Sequence, residues 1–372
     1  MSGYKLVCPC LLGVEGLVAD ELRAEGLTGV VPENGRVIFD GTPEGIARAN
    51  INSRYSERVL ILLGTFAATS FEELFQGVKA LPWDEFIGKT NAFPVKGRSL
   101  SSKLTSIPDC QSIIKKAVVE QLKSRYHIDW FSEEGPTCQI QFLIFKNKVS
   151  VMIDTSGPGL HKRGYRQNAT EAPIKETLAA SMARLARVRP DGNFIDPFCG
   201  SGTILIEAAT YAMHIAPGIR RRFAAENSGI VGGRIWELER SRAHDLIQKD
   251  TTFQAVGFDI DDEALALTLE NAKKAGVASR IRTEKRDIRD FKIEGEYGCV
   301  ICNPPYGERL LDVRQAQELY KQMGSVFESR HGWSYTMISP DEEFEKCFGR
   351  EADRRRKLYN GMLKCQVYMY YK

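Results

Sequence analysis

The sequence predicts an α/β protein, with a doubly wound, mostly parallel sheet over residues 156–372 preceded by α+β units. Three observations predict it. From Phe194 onward, short apolar runs alternate with helical stretches, the order of a parallel sheet with helices on both faces. A glycine-containing turn, Asp196-Pro197-Phe198-Cys199-Gly200-Ser201-Gly202-Thr203, follows one strand and opens a helix. A second strand, Cys299 to Cys302, stops at Asn303-Pro304-Pro305-Tyr306, because two successive prolines supply no ladder donors. Ligands of open α/β sheets bind outside such carboxyl ends.

The chain of 372 residues is long for one domain. Its hydrophobic share of 43% and charged share of 27% are those of an ordinary globular protein. No apolar run approaches the ~18 residues of a membrane span. The apolar stretch after Lys5 is soon broken by Glu15 and Asp20, which is not a signal peptide. A cytoplasmic location without a membrane partner is therefore expected. Nine cysteines, an odd number, read as reduced and mostly buried thiols. Cys299 and Cys302 have zinc-like spacing, but no second Cys/His pair matches them, so no metal is expected. A net charge of +3 is too small to prove a nucleic-acid partner.

Residues 1–55 read as a small α+β unit. Lys5 to Cys10 and Gly35 to Phe39 are strands, and Val14 to Glu25 is an amphipathic helix. Thr42-Pro43-Glu44 starts another helix, with Thr42 as N-cap and Pro43 at the first position. Residues 56–155 form a second unit. Arg58 to Gly64 is a strand, and Ser70-Phe71-Glu72-Glu73 carries the S-x-x-E capping pattern. Asn91 to Val95 is a strand bearing Phe93. Asp109 to Tyr126 is a helix with Ile113, Ile114, Val118, Val119 and Leu122 at helical spacing. Thr137 to Phe145 and Lys148 to Asp154 pair across Lys146-Asn147.

Residues 156–372 form the third unit. Its strands are expected at 194–196, 255–260, 281–286, 298–302 and 334–339, with a closing pair around 357–359 and 364–371. That pair turns at Asn360-Gly361. Helices start near Gly202, Asp261, Val313 and Asp341.

The glycine turn lets backbone pass close to a ligand beside free helix-terminal amides. It is not G-x-G-x-x-G, and no lysine follows it as a phosphate-binding loop requires. Asp259 ends the next strand and suits a pair of ribose hydroxyls; the plain alternative is a helix cap. It follows the turn by far more than the ~20 residues of a dinucleotide fold. The excess is Ala216 to Asp250, with Arg220-Arg221-Arg222 and Trp236, a candidate substrate-side excursion. Asp287 ends a further strand. Asn303-Pro304-Pro305-Tyr306 puts an amide beside an aromatic ring, a grip for a planar heterocycle with an exocyclic amine. Two basic runs, His161-Lys162-Arg163 and Arg354-Arg355-Arg356-Lys357, are either solvated faces or phosphate contacts.

D-P-F-C-G-S-G-T followed by N-P-P-Y resembles the amino-methylating class I methyltransferases. Phe71-Glu72-Glu73-Leu74-Phe75, Phe93-Pro94-Val95 and Lys103-Leu104 are similar to a THUMP domain preceded by a ferredoxin-like half. The chain as a whole resembles the THUMP-containing guanine-N2 methyltransferases of bacterial 23S rRNA. The resemblance implies a Rossmann-like class I domain with a mostly parallel seven-stranded sheet and a C-terminal antiparallel hairpin. It implies S-adenosylmethionine as cofactor and structured RNA as partner, 23S rRNA first and tRNA second. It implies cofactor contacts from Tyr165, Pro173, Asp196, Phe198, Gly200, Gly202, Thr203, Asp259, Ile260, Asp287, Ile288 and Asn303. Asp196 would lie near the amino-acid end and Asp287 near the adenine amine. Asn303 and the Pro304 carbonyl would each accept one N–H of the target amine while Tyr306 stacks on the flipped base. N-P-P-Y fits guanine or adenine, so a tRNA guanine-N2 enzyme and an N6-adenine DNA methylase are the alternatives, with a non-catalytic RNA-binding factor as a third. Cofactor binding is expected to survive removal of residues 1–155.

Overall fold

The computed structural model describes residues 4–166, 174–306 and 312–371. Its N-terminal half is built on strands β1 (Lys5–Pro9), β2 (Val31–Glu33), β3 (Arg36–Asp40), β4 (Leu60–Ala67), β5 (Val95–Leu100), β6 (Ile140–Phe145) and β7 (Lys148–Asp154). They form one sheet in the order β2-β3-β1-β4-β7-β6-β5, so β1 pairs with β4 and the sheet runs unbroken past residue 55. Only β5 and β6 are parallel. Helices α1 (Glu15–Ala24), α2 (Pro43–Asn52), α3 (Phe71–Lys79) and α4 (Ile107–Tyr126) bury their apolar stripes with Leu6, Phe39, Ile61 and Val151 of the strands.

Local chemistry explains these boundaries. The Thr42 hydroxyl accepts the Gly45 N–H at 2.9 Å, and Ser70 and Glu73 close a reciprocal capping box. Lys146 and Asn147 both have positive φ, as a two-residue hairpin with the right twist requires. The strand expected at Asn91–Val95 begins only at Val95. Pro94 withholds a donor, Ala92 makes an isolated bridge to Thr137, and the Phe93 N–H goes to Glu133 Oε2. The short strand β2 was not foreseen, because its three exposed residues carry no apolar alternation.

The C-terminal half contains α5 (Glu176–Leu185), β8 (Asn193–Asp196), α6 (Thr203–Ala212), α7 (Ala224–Asn227), α8 (Gly233–Asp245), β9 (Gln254–Asp259), α9 (Asp262–Ala275), β10 (Ile281–Lys285), β11 (Gly298–Cys302), α10 (Val313–Val326), β12 (Trp333–Ser339), α11 (Phe344–Phe348), β13 (Arg354–Asn360) and β14 (Leu363–Tyr370). The sheet order is β10-β9-β8-β11-β12-β14-β13. The first five strands are parallel, and β14 runs antiparallel to both its neighbours. This is the seven-stranded class I methyltransferase architecture. The order reverses between β8 and β11, which pair with Val300 opposite Ile195. That reversal opens a crevice at the carboxyl ends of these two strands.

The closing hairpin turns one residue later than expected. Asn360 still pairs, with Leu363, so Gly361 and Met362 form the turn. Gly361 takes φ +65° and Met362 does not adopt positive φ, which places the glycine at the first turn position.

The segment Ala216 to Asp250 is not a free excursion. It clamps the two halves together. Helix α8 lies against α2, where Arg48 grips Glu239 through two bonds of 2.9 and 2.6 Å. Trp236 is fully buried, stacks on Phe223 with ring centroids 5.2 Å apart, and belongs to the same core as the N-terminal sheet. The Gly218 N–H donates to the Ile51 carbonyl, and Arg242 pairs with Glu25 at 2.7 Å. The arginine triplet is spent internally: Arg220 on the Lys274 carbonyl, Arg221 on the carbonyls of Pro158, Gly159 and Leu160, and Arg222 on Glu226. The apolar residues of this segment follow the core it enters, and its charges follow the helices it meets.

Candidate active site

The glycine turn joins β8 to α6. Gly200 and Gly202 have φ +50° and +80°, in the left-handed region that favours glycine. A Cβ on Gly202 would stand 2.7 Å from the Thr268 side chain. The turn is braced from α9, where the Thr268 hydroxyl donates to the Gly200 carbonyl at 2.7 Å and the Asn271 amide to the Ser201 carbonyl at 3.0 Å. Thr203 begins α6, and its Oγ1 accepts from Arg166 at 3.0 Å.

Three acidic residues stand at or just past the carboxyl ends of β8, β9 and β10. Asp196 ends β8, is 1% exposed, and accepts only the Phe198 N–H among the described residues. Burial pushes its carboxyl up to about 8; the Phe198 N–H opposes this and the nearby Asp259 charge adds to it. Asp259 ends β9. Its Oδ2 accepts the Gly200 N–H at 2.9 Å and its Oδ1 the Asp261 N–H at 3.1 Å. The cap of α9 is Asp261, which bonds the Glu263 N–H, so Asp259 is not the helix cap. Each Asp259 oxygen keeps a second lone pair. Beside it, Ile260 is exposed. Asp287 departs from the simplest expectation. Both of its oxygens are forked by Arg289 at 2.9 Å, which holds the carboxyl down to about 2. The Ile288 side chain points into the core, so only its backbone can face a ligand.

Asn303 stands one residue past the end of β11, next in the sheet to the strand that ends at Asp196. Its Oδ1 is buried and accepts no hydrogen bond among the described residues. A buried acceptor left unpaired costs about 1–3 kcal/mol. Pro304 is buried behind it. The Tyr306 ring packs on the C-terminal core, and its hydroxyl accepts from the Asn360 amide at 2.9 Å.

Of the remaining expected residues, Tyr165 is almost fully buried, and its hydroxyl donates to Glu207 Oε1 at 2.9 Å. It supports α6 from below rather than offering its hydroxyl to a ligand. Phe198 is partly buried against the aromatic core. Pro173 lies outside the described residues. His161 pairs with Glu57 at 3.2 Å at the junction of the halves. Sequence reasoning missed Thr268, Asn271 and Asn360. The first two carried a signal, being polar residues three apart on the apolar stripe of α9. Asn360 was read only as a turn former.

The donor set fits S-adenosylmethionine on observations of this chain. A buried carboxyl with no cationic partner among the described residues suits an ammonium, and a strand-end carboxylate bonded to the glycine turn keeps lone pairs for a diol. Among the described residues no cluster of His, Cys, Asp and Glu is arranged to hold a metal, and no helix is long and apolar enough to cross a membrane.

Comparison with known proteins agrees with this geometry. Residues 163–369 match the model of the RMKL-like methyltransferase domain, residues 5–60 the RlmL ferredoxin-like domain and residues 68–154 the THUMP domain. The chain is 41% identical to "Putative RNA methyltransferase YpsC" of Bacillus subtilis, over 100% of this chain and 97% of that protein. It is 33% identical to the ribosomal RNA large subunit methyltransferase K/L of Syntrophotalea carbinolica, over 95% of this chain and 52% of that protein, so it spans about half the length of that relative. The crystal structure of SMU.472 in complex with SAH superposes with a TM-score of 0.94 at 42% identity, over 100% of this chain and 98% of the other. With its crevice, its glycine turn and its strand-end acids accounted for, the chain belongs to the RMKL-like methyltransferases, enzymes that depend on S-adenosylmethionine.

Proposed function

We propose that this protein methylates the exocyclic N2 amine of a guanine in 23S rRNA. The observation that carries the reading is the buried, unpaired Oδ1 of Asn303 at the carboxyl end of β11. An unpaired acceptor there is stabilised by an N–H donor, and an exocyclic amine supplies one. The bound cofactor supplies an activated methyl on a sulfonium. Asn303 Oδ1 and the Pro304 carbonyl each accept one N–H of the amine, which turns its lone pair toward the methyl. Tyr306, anchored through Asn360, stacks on the base and holds it out of its helix. Positioning does most of the work, and no strong base acts before attack. The methylated amine then loses its proton to solvent. In the cofactor site, Asp196 holds the ammonium and Asp259 the ribose hydroxyls.

RNA is favoured over DNA by the THUMP match and by the names of the relatives, and rRNA by the K/L relatives. A cytoplasmic location follows from such a substrate. Nucleoside mass spectrometry of RNA and DNA from a strain lacking the gene tests the reading. The expected result is loss of N2-methylguanosine from 23S rRNA alone. Loss from tRNA instead, or loss of N6-methyladenine from DNA, overturns it.

A further inference from the structure

A base can be methylated only after it leaves its stack, and the gap it leaves costs a few kcal/mol unless something fills it. The hairpin β13–β14 presents a side chain suited to that task. Met362 is the second residue of its two-residue turn and is 99% exposed, the most exposed large apolar side chain among the described residues. Leu363 beside it is 44% exposed. Such a tip is not explained by packing, since neither side chain enters a core. It is rigidly placed. Seven residue pairs hold β13 to β14, and β14 pairs in turn with β12, the neighbour of β11. The tip is also tied directly to the base-gripping motif, because Asn360, the last residue before the turn, donates to the Tyr306 hydroxyl at 2.9 Å. Below the tip, the sheet-edge strand β13 carries Arg354 and Lys357, both exposed and making no salt bridge among the described residues, while Arg355 is held by Glu345.

We propose that Met362, backed by Leu363, is a wedge that enters the RNA stack beside the target and fills the space the flipped base vacates. This rests on the RNA reading given above. Met362 is a positioning residue that acts through the base. Side chains that wedge between base steps are apolar, Phe, Leu, Ile, Met and Pro among them. A methionine bends to fit an irregular gap. Lys357, exposed on the same hairpin three residues before Asn360, is placed to meet a phosphate of the strand being opened.

The test uses the full chain, S-adenosylmethionine and 23S rRNA from a strain lacking the gene, with steady-state kinetics. Flipping follows docking, so Met362→Ser is expected to lower kcat about tenfold or more. KM for RNA and the Kd for S-adenosylmethionine stay within about twofold, and Met362→Leu keeps near wild-type kcat because it remains apolar. Lys357→Ala is expected to show the reverse split, a raised KM at unchanged kcat. A wild-type kcat for Met362→Ser, a rise in KM alone, or an equal loss in Met362→Leu overturns the wedge while leaving the RNA reading intact. Wild-type enzyme that methylates no RNA overturns both.

Discussion

At the scale of single residues, the proposed chemistry rests on two side chains whose polar groups are both withdrawn from water. Asn303 is a neutral acceptor kept dry, and Asp196 is an acid kept dry. Asn303→Ala removes one of the two acceptors that orient the amine. We expect kcat to fall about 100-fold or more, the usual cost of one preorganised hydrogen-bond partner. Calorimetry should give a Kd for S-adenosylmethionine within about threefold of wild type; unchanged turnover contradicts the grip. Asp196 makes a pH prediction. Its folded pKa is raised to about 8, so without ligand it holds a proton that the unfolded chain has already released above its ordinary pKa. Its contribution to stability is therefore full at low pH and is lost as pH rises from about 4 to 8. An ammonium beside Asp196 favours the ionised form. Binding at pH 7 should then release about one proton per site, seen as a dependence of binding heat on buffer ionisation enthalpy. Asp196→Asn should abolish that release.

At the scale of elements, the sequence was most readable where one local rule decided the outcome. The caps at Thr42 and Ser70, the Lys146-Asn147 turn and the halt of β11 at two prolines each follow from a few neighbouring residues. The glycine turn and Asp259 were legible for the same reason. Less was legible where the placement of a partner decided. The 3-10 turn after β10 brings the Arg289 guanidinium onto the Asp287 carboxylate, a pairing the strand pattern does not announce. The Tyr165 hydroxyl goes to Glu207, a partner far along the chain that no local rule announces. Asn360 served as the last strand residue because the ladder ran one pair further than the turn signal suggested. The packing role of Ala216–Asp250 was the least legible, because its basic charge reads as solvent-facing while Trp236 and Phe223 enter the N-terminal core. Trp236 measures that role. Trp236→Ala empties a fully buried site stacked on Phe223 and should destabilise the protein by about 3–5 kcal/mol. Urea unfolding checks this, and a loss under 1 kcal/mol would mean α8 is only a surface helix.

At the scale of the whole molecule, the two halves share more than a linker. One core contains Phe39 and Ile61 of the N-terminal sheet together with Ala180, Ile219, Phe223 and Trp236 from beyond residue 156. Val14 of the N-terminal half lies in the methyltransferase core with Leu178 and Leu358. Arg54 donates to the carbonyls of Thr210 and Ile215, which close the end of α6, the helix that the glycine turn starts. The N-terminal half and the methyltransferase half therefore share one continuous frame. The same sharing argues against the expectation that cofactor binding survives loss of residues 1–155. Without them Phe223, Trp236 and Ile219 lose their cover, Glu239 loses Arg48, and the carbonyls of Thr210 in α6 and of Ile215 just past it lose Arg54. Stripping a shared apolar core removes about 1.5–3 kcal/mol for each large side chain uncovered, against a total stability of about 5–15 kcal/mol. Residues 156–372 expressed alone should show no cooperative thermal transition and no calorimetric binding of S-adenosylmethionine. A sharp transition with native cofactor affinity would show that the shared core is dispensable and that the halves are joined only for the sake of the RNA.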